Sequence, residues 1–274
     1  MPAVATEPPR IRVRRHRVEV PPDLPRHWHS GSALLTHAAN ALNLVFPAGE
    51  RFFVRSVRHY VDQLDDPELL ERVRAFVGQE TQHGRAHELA FRMLDDQGFV
   101  YRDWLAWYER VAYGVLEPAV PPIVCLSVTV ALEHLTATLA TDALEQSWLD
   151  EIPPMYGELL GWHSCEEIEH KAVAFEVFQA VDGRWGVRVA GMGLAVGAFL
   201  LFWTSGIRHL TRQDPEATRA RLRRERAEAH ARGQDRSFLR RAFRSYLRRD
   251  FHPDHIDNRG LAEAWLRAHG RWEA

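Results

Sequence analysis

The stretches Gln79-Glu80-Thr81-Gln82-His83-Gly84 and Cys165-Glu166-Glu167-Ile168-Glu169-His170 decide the reading of this chain. Each carries a glutamate and a histidine three positions apart, Glu80 with His83 and Glu167 with His170. On an α-helix that spacing puts both side chains on one face, so a carboxylate and an imidazole can converge on one point. Upstream of each pair stands a lone glutamate in apolar sequence. Glu50 lies between Phe46-Pro47-Ala48-Gly49 and Phe52-Phe53, and Glu133 follows Val128-Thr129-Val130-Ala131-Leu132. A carboxylate there is expensive to bury unless it is partnered. Glu50 precedes Glu80 by 30 residues and Glu133 precedes Glu167 by 34, each interval fitting one helix down and one back. The 53 residues from Glu80 to Glu133 leave room for a long crossover.

The flanking sequence is helical in pattern, with no strand alternation. A mostly apolar run begins at Ser30 and is interrupted by Pro47 and Gly49, which predicts one kinked helix or two abutting ones. Pro67, with Asp65 or Asp66 near its cap, opens a helix expected to run to Gln97 and stop at Gly98. A shorter helix is expected near Trp104–Leu116, then long ones from Ile123 to Leu149 and from Pro153 or Pro154 to Val181. Doubled Glu and Glu-x-x-His donors on four such helices are the ligand set of ferritin-like carboxylate bundles. The expected fold is therefore all-α: a ferritin-like four-helix bundle with a crossover helix and additional C-terminal helices. The expected division is an N-terminal arm over 1–29, a metal-binding bundle over 30–183, and a C-terminal part over 184–274. That last part holds an apolar helix, arginine-rich helices and a docked tail.

These donors predict a site for two metal ions built from Glu50, Glu80, His83, Glu133, Glu167 and His170. Carboxylate oxygens with one imidazole per metal favour iron, with manganese the second choice, over structural zinc. His87 lies one turn beyond His83, and His163 one turn before Glu167. Each is open to three readings: a partner that orients a ligand, an additional ligand, or a packed core histidine. Glu166 rivals Glu167, because it lies four residues from His170 and shares its face. Glu169 and His134 fall off the ligand face, and Cys165 reads as a small packing residue.

Bulk composition narrows the rest. A formal net charge of −2 predicts no nucleic-acid partner. Two cysteines are too few for a disulfide framework. The proline- and arginine-rich N-terminus lacks the apolar core of a signal peptide, so the expected compartment is the cytoplasm or its membrane face. Val189–Ile207 is uncharged and contains Gly193-x-x-x-Gly197. It is expected to be a buried helix or homodimer contact, with peripheral membrane contact as the alternative and a true membrane span the third reading. Twelve arginines against three acids follow between Arg219 and Arg249, a segment able to face anionic lipid. His252 and His255, beside Pro253 and Asp254, read as a docked turn.

Phe46–Phe53, Gln79–His87, Ala131–Ala137 and Trp162–Lys171, with the later Phe251-His252-Pro253, together resemble a bacterial family described as predicted metal-dependent hydrolases. The resemblance spans about residues 30 to 256, and its name implies hydrolysis by a metal-activated water. The ligand set itself resembles O2-activating di-iron proteins. It favours O2-dependent oxidation of a small or lipid-like organic substrate, with an external electron donor where one is needed. Hydrolysis, with His87 or His163 as general base, is the alternative, and a non-catalytic iron-binding role is a third reading.

Overall fold

The computed structural model describes residues 11–146, 148–231 and 237–272. Among these the chain is all-α, with no strand. Eleven α-helices are described: α1 (Ala33–Arg58), α2 (Pro67–Ala90), α3 (Arg92–Asp96), α4 (Arg102–Glu109), α5 (Pro122–Glu145), α6 (Pro154–His170), α7 (Val173–Val181), α8 (Trp185–Thr211), α9 (Arg219–Ala231), α10 (Ser237–Tyr246) and α11 (Arg259–Ala268).

Local chemistry sets most of these bounds. The Ser32 hydroxyl caps α1 by accepting from the Leu35 amide, and the Asp66 carboxylate caps α2 by accepting from the Glu68 amide. Pro67, Pro122 and Pro154 each occupy a first helical turn, where their missing N–H is not needed. Gly98 and Gly183 take positive φ after α3 and α7. Of the two forms expected around Pro47, α1 takes the first, one helix that continues through the proline. Three expectations need adjustment. The helix expected to run to Gln97 is two, α2 and α3, parted at Phe91. α5 ends at Glu145, and a short 3-10 turn follows at Trp148–Glu151. The helix expected to reach Val181 is two, α6 and α7, parted at Lys171–Ala172. There the Lys171 ammonium donates to the Ile256 carbonyl and to Asn258 Oδ1, both at 2.6 Å, anchoring the C-terminal turn.

Two apolar clusters occupy opposite ends of the helices, with the charged residues between them. Along α1, Ala41, Leu44 and Ala48 belong to one cluster and Phe52, Phe53 and Val57 to the other, so Glu50 falls at the boundary. α2 meets the clusters in reverse order, with Val73 and Phe76 before Glu80 and His83, and Ala86 and Ala90 after. α5 also runs from the second cluster to the first, and α6–α7 from the first to the second. Thus α1 and α2 are antiparallel, as are α5 and α6, while α2 and α5 run the same way. The crossover that permits this is α3, α4, a π-helical stretch Arg110–Leu116 and a 3-10 turn Glu117–Ala119. α8 packs along α1 and α5, α10 on α5, and α11 on α6 and α5.

α5 and α8 are both long and apolar enough to cross a membrane by length and composition. In their most apolar windows 56% of α5 is buried but only 28% of α8, so α5 is a core helix and α8 has an open outer face. Leu194, Leu200 and Leu201 are exposed on it, and a Cβ at Gly193 or Gly197 would meet nothing.

Candidate metal centre

Glu50 from α1, Glu80 and His83 from α2, Glu133 from α5, and Glu167 and His170 from α6 meet in the middle of the helices. All six are at most 3% exposed, which makes their ionisation a question of partners rather than of water. His170 Nε2 lies 3.2 Å from Glu133 Oε2, 3.3 Å from Glu80 Oε1 and 3.6 Å from Glu167 Oε1. His83 Nδ1 lies 3.4 Å from Glu80 Oε1 and 3.8 Å from Glu167 Oε1. Glu80 and Glu167 therefore stand between the two imidazoles. Glu133 sits on the His170 side, and Glu50 groups with His83 and His163.

Most of these inward atoms make no hydrogen bond. Both carboxylate oxygens of Glu50, Glu80 and Glu133 lack a partner, as do His83 Nδ1 and His170 Nε2. A buried polar group left unpaired costs about 1–3 kcal/mol, and more when charged. Such groups converging on one region fit divalent cations, whose oxygen and nitrogen ligands sit at this kind of mutual separation. The donor set, hard carboxylates with imidazoles, suits iron or manganese. The outward nitrogens, by contrast, are fixed. His83 Nε2 is 3.0 Å from Glu166 Oε2, and His170 Nδ1 is 2.8 Å from Gln79 Oε1. Each ring thus has one nitrogen oriented by a neighbour and one facing inward, the arrangement expected of a ligating histidine.

Glu166 and Glu167 separate cleanly. Glu166 points away from the cluster, and its Oε1 accepts from the Arg14 amide and the Trp162 indole, both at 3.1 Å. Glu167 faces the cluster, accepting from the Thr136 hydroxyl and lying 2.8 Å from His163 Nε2. Behind it runs a chain of rings. His87 Nε2 meets His163 Nδ1 at 2.7 Å, and His87 Nδ1 meets Asn43 Oδ1 at 2.6 Å.

The electrostatics follow from burial and crowding. Burial, then the charge of Glu167, raises the Glu50 carboxyl well above its ordinary value. Burial, then Glu133, does the same to Glu80. Burial pushes Glu133 up to about 7 and Glu166 to about 8. Burial and His163 hold His83 and His87 well below the usual imidazole range. Burial would also lower His170, but Glu133 and Glu167 outweigh it and raise that ring. Burial would raise Glu167, yet His170 and the His163 hydrogen bond bring it down. With like charges this close, the carboxylates can all ionise only beside a compensating positive charge.

Other groups fall elsewhere. Glu169 pairs with Arg14, and His134 is bonded to the Ala242 carbonyl. Cys165 is buried against Ala262. His252 packs on Phe175 beside the 3-10 turn Pro253–His255. His27, His37 and Asp214 form another compact group, but there Asp214 Oδ2 is hydrogen-bonded to both rings, at 2.7 and 2.8 Å. Its facing atoms are already paired, unlike those of the central cluster. The roles of Gly84, Asn43, Gln79 and Arg14 are not evident from the sequence. Asn43 lies two turns before Glu50 and Gln79 directly precedes Glu80, signals visible in hindsight; Arg14 lies 152 residues from Glu166 and left none. At Gly84 a Cβ would come within 3.0 Å of Glu50 Oε2 and 3.7 Å of Pro47 Cα, so glycine lets α2 approach α1 at the site.

No curated protein and no solved structure matches this chain. A family model described as predicted metal-dependent hydrolase matches residues 12–257, taking in every residue of the cluster and the arm that reaches Glu166. With that match over most of its length, the chain belongs to the family of predicted metal-dependent hydrolases.

Proposed function

We propose that this chain is a dinuclear metal enzyme and that its reaction is metal-dependent hydrolysis. The observation that carries the metal reading is the set of unpaired inward atoms on Glu50, Glu80, His83, Glu133 and His170. The family description carries the reaction. Glu50 and His83 would hold one ion, Glu133 and His170 the other, and Glu80 and Glu167 would bridge them. The topology supports this assignment: a single long crossover, with one Glu and one Glu-x-x-His per helix pair, is the ferritin-like plan. Two bound ions would supply Lewis-acid activation of a water and a substrate oxygen or, with redox-active iron, reduction of dioxygen.

His163 is assigned as a partner that orients Glu167, beside Glu50 and His83. Asn43 Nδ2 points to the His87 carbonyl, at 3.4 Å, which leaves Asn43 Oδ1 to accept from His87 Nδ1–H. His87 is held neutral by burial, so its Nε2 accepts, and His163 donates from Nδ1. On its other side His163 Nε2 faces Glu167 Oε1 at 2.8 Å and orients that carboxylate. Apolar clusters on both sides exclude bulk water from these groups.

A second reading, O2-dependent di-iron oxidation, is favoured by the four carboxylates, which suit iron in changing oxidation states. Metal analysis should give two equivalents per chain, with one lost in Glu133→Ala. Reconstitution with zinc or manganese should then support turnover of ester, amide or phosphoester probes. Should these probes stay intact while the Fe(II) form, prepared anaerobically, consumes O2 once it is admitted, oxidation replaces hydrolysis. A folded sample that binds no metal under metal-replete conditions would overturn both readings.

A further inference from the structure

The outward nitrogens of His83 and His170 rest on two acceptors, Glu166 and Gln79, and the N-terminal arm holds both. The Arg14 amide donates to Glu166 Oε1 at 3.1 Å, and its guanidinium Nη1 reaches the same oxygen at 3.4 Å. The same guanidinium forks onto Glu169, at 2.8 and 2.9 Å. Glu169 Oε2 in turn accepts from Gln79 Nε2 at 2.9 Å, and the Arg12 carbonyl accepts from that amide at 2.9 Å. A continuous path results: His83, Glu166, Arg14, Glu169, Gln79, His170.

Arg14 is seated firmly enough to serve this purpose. It is 4% exposed, which leaves its charge to be balanced by the Glu169 carboxylate it forks onto rather than by water. Its Nε donates to the Arg271 carbonyl at 3.2 Å, and His16 stacks on Trp162 with ring centroids 5.3 Å apart. Val13 lies where a Cβ at Gly78 would come within 2.6 Å of it, so α2 is notched at Gly78 to receive the arm. A planar guanidinium with five fixed donors suits two carboxylates and imposes geometry on both; a lysine would supply only a point charge.

We propose that Arg14 is a positioning residue of the metal centre, holding His83 through Glu166 and His170 through Glu169 and Gln79, so that seating of the arm sets the affinity of both metal positions. The inference rests on the dinuclear reading above. Cobalt(II) titration of the full chain, followed by calorimetry and by the visible absorption of the bound ion, tests it. Arg14→Ala should weaken both positions by roughly 10–100-fold and alter the cobalt spectrum, as loss of groups that orient metal ligands does. Arg14→Lys should recover only part of either. Glu169→Gln, nearly isosteric and at the edge of the path, should weaken mainly the His170 position, and it serves if Arg14→Ala fails to fold. Wild-type affinity and spectrum in Arg14→Ala, or in Glu169→Gln where that variant stands in, overturn the role of the arm while leaving the dinuclear reading intact. A wild-type chain that binds no cobalt overturns both.

Discussion

At the scale of single residues, Gly84 ties the helix packing to the chemistry. An alanine there would gain roughly 1 kcal/mol of helix propensity over glycine. Its methyl would sit 3.0 Å from Glu50 Oε2, so the carboxylate must give way by a few tenths of an ångström. Gly84→Ala should therefore leave the stability of the metal-free protein within about 1 kcal/mol of wild type. Metal affinity on the Glu50 side should fall several-fold, as calorimetric titration would read. An unchanged affinity would mean that Glu50 sits away from the metal. The donors themselves were legible in the sequence because the cue was local: a three-residue spacing, repeated, each time with a lone glutamate in apolar surroundings. The choice between Glu166 and Glu167 was not legible. Both fit the helical face, and the deciding partners, Arg14, Trp162, Thr136 and His163, lie up to 152 residues away.

At the scale of elements, the helices were readable from capping residues, prolines and apolar spacing, and the crossover from the interval between Glu80 and Glu133. What failed was continuity. Nothing local distinguishes the break at Lys171 from ordinary helix, and the ammonium there reaches the Ile256 carbonyl, 85 residues away. Conversely Pro47, a strong local interruption signal, is absorbed within α1. For α8 the sequence described an apolar segment but not its two faces. Met192 and Ala195 are 1% exposed, whereas Leu194 and Leu201 are 51% and 54% exposed. Leu201→Arg should accordingly change stability by no more than about 0.5 kcal/mol, while Ala195→Arg should prevent folding by burying an unpaired charge. Urea titration of the two variants checks this. A large loss of stability in Leu201→Arg would place the outer face of α8 inside a contact with a second copy or a lipid surface, where the uncharged segment was expected to bind.

At the scale of the whole molecule, the C-terminal segments are bound to the helices by a few buried polar anchors, and the one on α5 is sensitive to pH. His134 is 3% exposed, packed between Tyr246 and Phe251 with ring centroids 5.3 and 4.9 Å away. Its Nε2–H donates to the Ala242 carbonyl at 3.0 Å, so one imidazole links α5 to α10. Burial pushes its pKa down from 6.5 to about 4, outweighing the carbonyl's opposite pull. Between pH 6.5 and about 4 the unfolded chain protonates this histidine and the folded chain does not. Folded stability is therefore lost as pH falls through that window, and is insensitive to this residue above it. The full effect is on the order of 3 kcal/mol. His134→Gln replaces the ring with an amide that can still donate to a carbonyl but does not titrate. The stability difference between wild type and His134→Gln, measured by denaturant unfolding in the presence of chelator, should shift against the wild type as pH drops from 6.5 to 4 and stay flat from 7 to 8. Using the difference cancels the titration of the central carboxylates, which both proteins share. A difference that does not vary with pH would mean that His134 keeps its proton affinity in the fold, and that the anchor of α10 on α5 lies elsewhere.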